Sequence, residues 1–331
     1  MSELVSILIP AYNAEKWISQ TINSALSQTW KNKEIIIVDD GSRDNTLDIA
    51  KKFESNNLKV ISQENRGQAS VRNTALSYAQ GSYIQWLDAD DLLASDKISI
   101  QMSFAQNDST SLTLYSSPHA AFYWRPEKAR FRPDSLWQDL SPVEWMIKKF
   151  SEKIYIAIHG WLVSRKLTDS AGPWNEQLIL NGDGEYFFRV VAASKNVQFI
   201  PEAKSYYRQW SFNQQGKGAS EKALQSLLLS HKLCIKHLLS LEDSAKTRKA
   251  SVQVLQSIYK RLYPEHIKTL KEVEKLIIEL GGQPVLPTFG WKRTTLQRLF
   301  GWEMAKKIVA ANHKLGLSLA AKWDEILYNI F

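Results

Sequence analysis

The 331-residue chain has one cysteine, Cys234, so an intramolecular disulfide is impossible, and no Cys/His cluster with zinc-site spacing occurs. No apolar run approaches the roughly 20 residues that a membrane-spanning helix needs. The amino terminus, Met1-Ser2-Glu3, runs straight into Leu4 to Pro10 and lacks the basic start, apolar stretch and cleavage site of a secretory leader. These absences together lead us to expect a reducing, cytoplasmic setting. A Gly-X-Gly-X-X-Gly turn is missing after the first apolar segment, where Pro10-Ala11-Tyr12-Asn13 stands instead, which argues against a dinucleotide-dependent oxidoreductase. A P-loop is missing too, as is the glycine-rich, arginine-containing first loop of a sugar nucleotidyltransferase.

What is present reads as an ordinary globular chain, 44% hydrophobic and 23% charged. It is long enough for one large α/β domain with an appendage, or for two modest domains. The formal charge of +8 suits nucleic acid, anionic lipid or a phosphorylated substrate. No recognised nucleic-acid module accompanies it, so nucleic acid is not expected as a partner. Half of the excess sits beyond Thr288, where seven Lys/Arg face three acids. There Trp291, Phe300 and Trp302 interleave with Lys292, Arg293, Arg298, Lys306 and Lys307. That pattern fits an amphipathic helix resting on anionic lipid, or one packed on the main body.

Along the first hundred residues strand and helix patterns alternate. Val5 to Ile9, Glu34 to Val38, Leu58 to Ser62 and Ser82 to Leu87 read as strands. A helical face Trp17/Ile18/Ile22/Ala25/Leu26 follows Asn13 as a capping residue, and further helices are expected over Asp44 to Phe53 and Gln68 to Ala79. Repeated βα units imply a mainly parallel sheet covered by helices on both faces. From about Ser95 to Gln209 the pattern is mixed, with strand-like pieces at Leu112 to Tyr115, Ala120 to Trp124, Trp161 to Ser164 and Lys204 to Arg208. From Ser220 onward it is helical. The segment Arg208 to Gly218 reads either as a loop able to close over a ligand or as a plain linker.

In such sheets ligands bind beyond the carboxyl ends of the strands. Five acids stand at those ends, in Asp39-Asp40-Gly41-Ser42 and Asp88-Ala89-Asp90-Asp91, and crowding them there is costly without a cation or hydrogen-bond donors. Asp88-Ala89-Asp90 offers hard oxygen ligands suited to Mg²⁺ or Mn²⁺ but too few to enclose the ion, so substrate phosphates would complete its shell. Asp39 directly extends an apolar strand, and its carboxylate is available to a uracil imide N–H or a ribose hydroxyl. A turn with Gly41 and a helix cap account for the residues after it.

Four segments in order complete the pattern: Val5-Ser6-Ile7-Leu8-Ile9-Pro10-Ala11-Tyr12-Asn13, Val38-Asp39-Asp40-Gly41-Ser42, Glu64-Asn65-Arg66-Gly67-Gln68-Ala69-Ser70-Val71-Arg72-Asn73 and Trp86-Leu87-Asp88-Ala89-Asp90-Asp91. Over about ninety residues this set resembles the family 2 glycosyltransferases. The resemblance implies a GT-A fold, a nucleoside-diphosphate sugar donor, a divalent metal (Mn²⁺ or Mg²⁺) and inversion at the anomeric carbon. Carried over, Pro10, Ala11, Tyr12, Asn13, Asp39 and Asp40 would line the nucleoside. Asp88 would lie on the ribose side and Asp90 would hold the metal, with Asp88 and Asp91 as further or alternate ligands. Arg72 would lie near the diphosphate or pair with Asp88 or Asp39.

The family usually places its base in a Glu-Asp pair upstream of an arginine, and the corresponding stretch here runs from Trp174 to Arg189. Asp183 falls in the base position, with Gly182 in place of the usual glutamate. Glu185 is the rival, or simply a first-turn acid complementing its helix dipole. Glycines on either side of Asp183 would let an acceptor approach closely. His159, Trp161 and Trp174 are acceptor-side candidates, the tryptophans as sugar platforms or as core.

The resulting expectation is an α/β chain with a mixed, mainly parallel sheet. Residues 1–219 would form the GT-A catalytic domain, with a nucleotide-binding half (1–95) and an acceptor half (96–219), followed by a C-terminal helical appendage (220–331). Its partners would be a nucleotide-sugar donor and a glycan or lipid-linked acceptor, with possible peripheral contact at the inner face of the membrane through the basic tail. The competing expectation is a non-catalytic nucleotide-sugar-binding or assembly protein that retains the fold.

Overall fold

The computed structural model describes residues 2–209 and 220–286, together with residues 299, 304, 308, 311, 316 and 318–329. Its centre is a five-stranded sheet. The strands are β1 (Val5–Ala11), β2 (Lys33–Asp39), β3 (Leu58–Ser62), β4 (Tyr83–Trp86) and, further along the chain, β8 (Val163–Ser164), in the order β3-β2-β1-β4-β8. The first four run parallel, and β8 is antiparallel to β4. All seven residues of β1 are buried, as expected of a strand covered on both faces.

Period-two alternation divides the side chains of β1 between two cores. Val5, Ile7 and Ile9 pack with Ile18, Ile22 and Ala25 of α1 (Ile18–Leu26). Leu8 faces the other way and shares a core with Ile36, Trp86, and Val71 and Ala75 of α3 (Gln68–Tyr78). Helix α2 (Thr46–Lys51) lies between β2 and β3 in the chain. One detail departs from the sequence reading. Asn13 does not cap α1, which starts at Ile18 after Trp17. Instead Asn13 adopts a left-handed conformation (φ 49°), donates its N–H to Ser42 Oγ and accepts from the Arg43 N–H, tying the loop after β1 to the loop after β2.

Beyond β4 the short strand β5 (Leu92–Leu93) and helix α4 (Lys97–Ala105) lead to β6 (Thr113–Ser116) and β7 (His119–Phe122). Helix α5 (Pro142–Glu152) opens with a capping box between Ser141 and Glu144. After it come α6 (Arg165–Ala171), α7 (Gly182–Ala193), β9 (Asn196–Phe199) and β10 (Ser205–Arg208). Strand β10 joins β5 and β7 in a three-stranded sheet, and β6 pairs with β9. The helices α8 (Glu221–Leu241), α9 (Ala245–Leu262) and α10 (Ile267–Glu279) share a continuous apolar core with α5 and α7: Leu224, Leu228, Ile235 and Val254 pack in one cluster with Phe150 and Phe188. Residues 318–329 form a further helix. The aromatic-basic stretch around Trp291, Phe300 and Trp302 and residues 210–219, which include most of the segment from Arg208 to Gly218, lie outside the described residues.

Candidate active site

The strand order reverses direction between β1 and β4, so the crevice at their carboxyl ends is where this topology places ligands. The register aligns Leu8 with Trp86 and Ala11 with Asp39, which brings Pro10 to Tyr12, Asp39 and the Asp88–Asp91 loop to one edge. Ala11 is buried at its floor and Tyr12 is exposed.

Asp39 donates order to its own turn by accepting the Ser42 N–H on Oδ2 at 3.1 Å, while its Oδ1 is buried without a hydrogen-bond partner. A buried carboxylate oxygen in that state calls for a donor. Asp40 is turned away and is fully engaged: it accepts from Gln63 Nε2 (2.7 Å), the Arg66 N–H (2.9 Å) and the Gly67 N–H (2.9 Å). It therefore shapes the loop between β3 and α3 rather than presenting a free carboxylate to a nucleoside. Gly41 sits at φ 69°, and any side chain there would press on the Asn65 backbone N at 2.9 Å.

The centre of the site is Arg72, on α3 and 1% exposed at its side chain. Its Nη2 donates to Asp88 Oδ1 at 3.1 Å and its Nη1 to Asp183 Oδ1 at 2.5 Å, while the guanidinium lies 4.4 Å from the centre of the Trp174 ring. One fork thus holds two carboxylates that are 95 residues apart in sequence. Burial raises the Asp88 pKa to about 6; Arg72 opposes that rise, while Asp183 and Asp90 add to it. The carboxylates keep 28% (Asp88) and 32% (Asp183) side-chain exposure, enough for a substrate to reach them. Asp183 lies in the first turn of α7, where a negative charge complements the helix dipole.

Two elements fasten the Asp88–Asp91 loop from below. The Thr21 hydroxyl of α1 lies 2.9 Å from the Ala89 carbonyl and 3.0 Å from that of Asp91. From β10, the Arg208 N–H donates to Asp91 Oδ1 (2.7 Å) and the Arg208 Nε to the Asp90 carbonyl (2.7 Å). The same guanidinium bonds Tyr123 O and Gln20 Oε1 and stacks on Trp17 and Phe122. Neither contact was foreseeable from the sequence, since the partners lie about 70 and 117 positions apart.

Several expected site residues prove to be packed inside. Asp91 is completely buried against His159, whose Nε2 is 3.0 Å from its carboxylate and whose Nδ1 is 2.9 Å from Ser205 Oγ. Burial raises the Asp91 pKa and lowers that of His159 to about 3. Asp91 and His159 thus face each other in the interior, beneath the crevice. Trp161 and Trp174 are 1% and 2% exposed and belong to the aromatic core, with Trp174 stacked on Tyr186 at 4.0 Å. Glu185 is buried and pairs through both oxygens with Arg189 one turn later, at 2.8 and 3.0 Å. That removes it from the surface where Asp183 stands. Gly184 serves packing: a Cβ there would overlap the Asn181 side chain, whereas at Gly182 it would only graze Leu178 at 4.0 Å.

Among the described residues no group of three or more His, Cys, Asp or Glu side chains is arranged to hold a metal. Asp88 and Asp90 nevertheless suit a divalent ion. They bring hard oxygen donors and crowded negative charge, which raises the Asp88 pKa, and the ion would take its remaining ligands from a substrate.

Comparison with known proteins agrees with this geometry. The family model described as Glycosyl transferase family 2 matches residues 6–170. Glycosyltransferase GlyG of Streptococcus pneumoniae serotype 4 is 35% identical over 224 residues, covering 64% of this chain and 72% of the relative. The Escherichia coli UDP-Glc:alpha-D-GlcNAc-diphosphoundecaprenol beta-1,3-glucosyltransferase WfaP is 48% identical over 107 residues, covering 32% of this chain and 43% of that protein. The chain thus spans less than half the length of that relative. Staphylococcus aureus TarS residues 1–349 in complex with UDP-GlcNAc superposes with a TM-score of 0.58 at 18% identity, covering 83% of this chain and 88% of TarS. The mannosyltransferase PcManGT of Pyrobaculum calidifontis, in complex with GDP-Man and Mn2+, gives 0.54 at 15% identity, covering 98% and 84%. The fold is GT-A, and the chain belongs to glycosyl transferase family 2.

Proposed function

We propose that the chain is an inverting glycosyltransferase that moves a sugar from a nucleoside-diphosphate donor, with UDP the favoured carrier, to a hydroxyl acceptor. The observation that carries the reading is the Arg72 fork, which holds Asp88 and Asp183 within one cluster at the carboxyl end of β4. Asp39 Oδ1 is a buried acceptor awaiting a donor such as a base imide. Asp88 and Asp90 would hold the divalent cation, which when bound neutralises charge on the departing diphosphate.

Asp183 uses Oδ1 to accept from Arg72 and leaves Oδ2 for the acceptor. It takes the acceptor O–H proton while that oxygen attacks the anomeric carbon from the face opposite the diphosphate. Arg72 fixes the direction in which this carboxylate points. UDP-linked donors and lipid-linked acceptors are favoured because the Escherichia coli relative is named for both. The test is Asp183→Asn assayed against a panel of nucleotide sugars with Mn²⁺. Transfer should fall by about 10²–10⁴-fold while UDP still quenches tryptophan fluorescence, and full transfer by the variant would refute the assignment.

Peripheral membrane contact is the second part of the proposal. No described helix is long and apolar enough to cross a bilayer. In the helix of residues 318–329, Asp324 bonds the Trp124 and Arg125 backbone N–H groups and the Arg125 side chain, and Tyr328 packs on Trp124. The opposite side carries Leu319, Trp323 and Ile326, which are 60%, 65% and 43% exposed. An apolar stripe beside Lys322 suits an anionic interface.

A further inference from the structure

A cavity of about 190 Å³ lies between α5, the start of α7 and the helices α8 and α9. It is lined by Lys149, Lys153, Asn181 and His231 together with apolar walls from Phe188 and Val254. Gly184 also lines it, and Gly184 directly follows Asp183 on α7, so one wall of the cavity and the proposed base belong to the same helical turn. We propose that this cavity receives a phosphate group of the acceptor, so that a phosphate ester anchored on Lys149 and Lys153 presents its hydroxyl to Asp183. This rests on the transfer reading given above and names the class of acceptor.

Three observations support it. Lys149 donates one hydrogen bond, to the Ile154 carbonyl, which leaves two ammonium donors for a ligand. Lys153 is exposed at the rim and forms no ion pair with a described acid. Burial lowers the Lys149 pKa to about 8, held up by Cys234, Asp134 and Asp183, so the side chain is mainly cationic at neutral pH. Cations beside apolar walls fit a phosphate that carries an organic group better than a bare anion. The donor diphosphate belongs to the separate edge formed by Asp88 and Asp90, so it does not compete for this space.

The test uses the full chain without divalent metal, which prevents phosphate from being held through a cation at Asp88 and Asp90. Inorganic phosphate, phenyl phosphate and decyl diphosphate are titrated while the ring ¹H–¹³C signal of His231 is followed by NMR. The esters should produce a saturable shift at affinities above that of inorganic phosphate. Lys149→Met/Lys153→Met should weaken ester binding about tenfold or more and leave UDP binding with Mn²⁺ unchanged. Lys153→Met alone, at the exposed rim, leaves the fold intact and should weaken binding in the same direction. An unresponsive His231, ester affinity unchanged in the Lys153 variant, or inorganic phosphate binding as tightly as the esters would each overturn the proposal. Absence of UDP binding by the unaltered chain would count against sugar transfer from a UDP-linked donor instead.

Discussion

Arg72 shares one guanidinium between Asp88 and Asp183 while stacked on Trp174, with its side chain almost fully buried. Removing it leaves two neighbouring carboxylates without their counter-charge. Arg72→Met should therefore destabilise the fold by roughly 3 kcal/mol, the lower end for broken buried pairs because both acids keep some exposure. Urea unfolding measures this, and adding Asp183→Asn should recover part of the loss by removing one uncompensated charge. Asp88 gives a second handle. Its pKa rises from the usual 3.8 to about 6 in the fold, so its contribution to stability is complete below 3.8 and is lost as pH rises through about 6. A divalent cation stabilises the ionised form. Mn²⁺ should thus raise Tm more at about pH 7.5 than at about pH 5, and an equal or inverted effect would show that Asp88 does not take part in metal binding.

Among the elements, β10 works as a clamp. Arg208 at its end ties the Asp90 carbonyl, the Asp91 carboxylate, Tyr123 and Gln20 to a stack with Trp17 and Phe122. Lysine keeps the charge but not the planar fork. Arg208→Lys should weaken Mn²⁺-dependent UDP binding about tenfold while leaving metal-free UDP binding nearly unchanged, as read by fluorescence titration. The helix of residues 318–329 is held to this region by Asp324 and by Tyr328 on Trp124, which itself packs edge-on to Trp17 at 4.7 Å. Asp324→Ala should speed amide exchange across that helix by about tenfold, matching the loss of roughly 1.5 kcal/mol of charge-assisted hydrogen bonding. Unchanged exchange would show that the helix is held by other contacts.

At the scale of the whole molecule, the helices from Glu221 onward share apolar packing with α5 and α7, the helix that carries Asp183. We propose that the division near residue 219 separates stretches of chain rather than cores. The C-terminal helix meanwhile turns Leu319 and Trp323 to solvent while its acidic face docks. Leu319→Ser/Trp323→Ser should sharply reduce flotation with anionic liposomes and leave transfer to a water-soluble acceptor unchanged. Equal flotation of both proteins would dispose of the membrane contact.

The sequence by itself determined the strands of the parallel sheet, the acids at their ends and the family, because period-two burial and short βα loops make each motif local. It also singled out Asp183 as the candidate base. It left Arg72 open between a diphosphate and a carboxylate, and only the tertiary structure decided that Asp88 and Asp183 are its partners. Likewise it could not see that Asp40 shapes a loop, that His159 and Asp91 face each other underground, or that Glu185 belongs to Arg189. Which way a polar side chain points depends on neighbours brought in from distant segments. A spacing rule carries no information about those neighbours, whereas burial and hydrogen-bond geometry carry it directly.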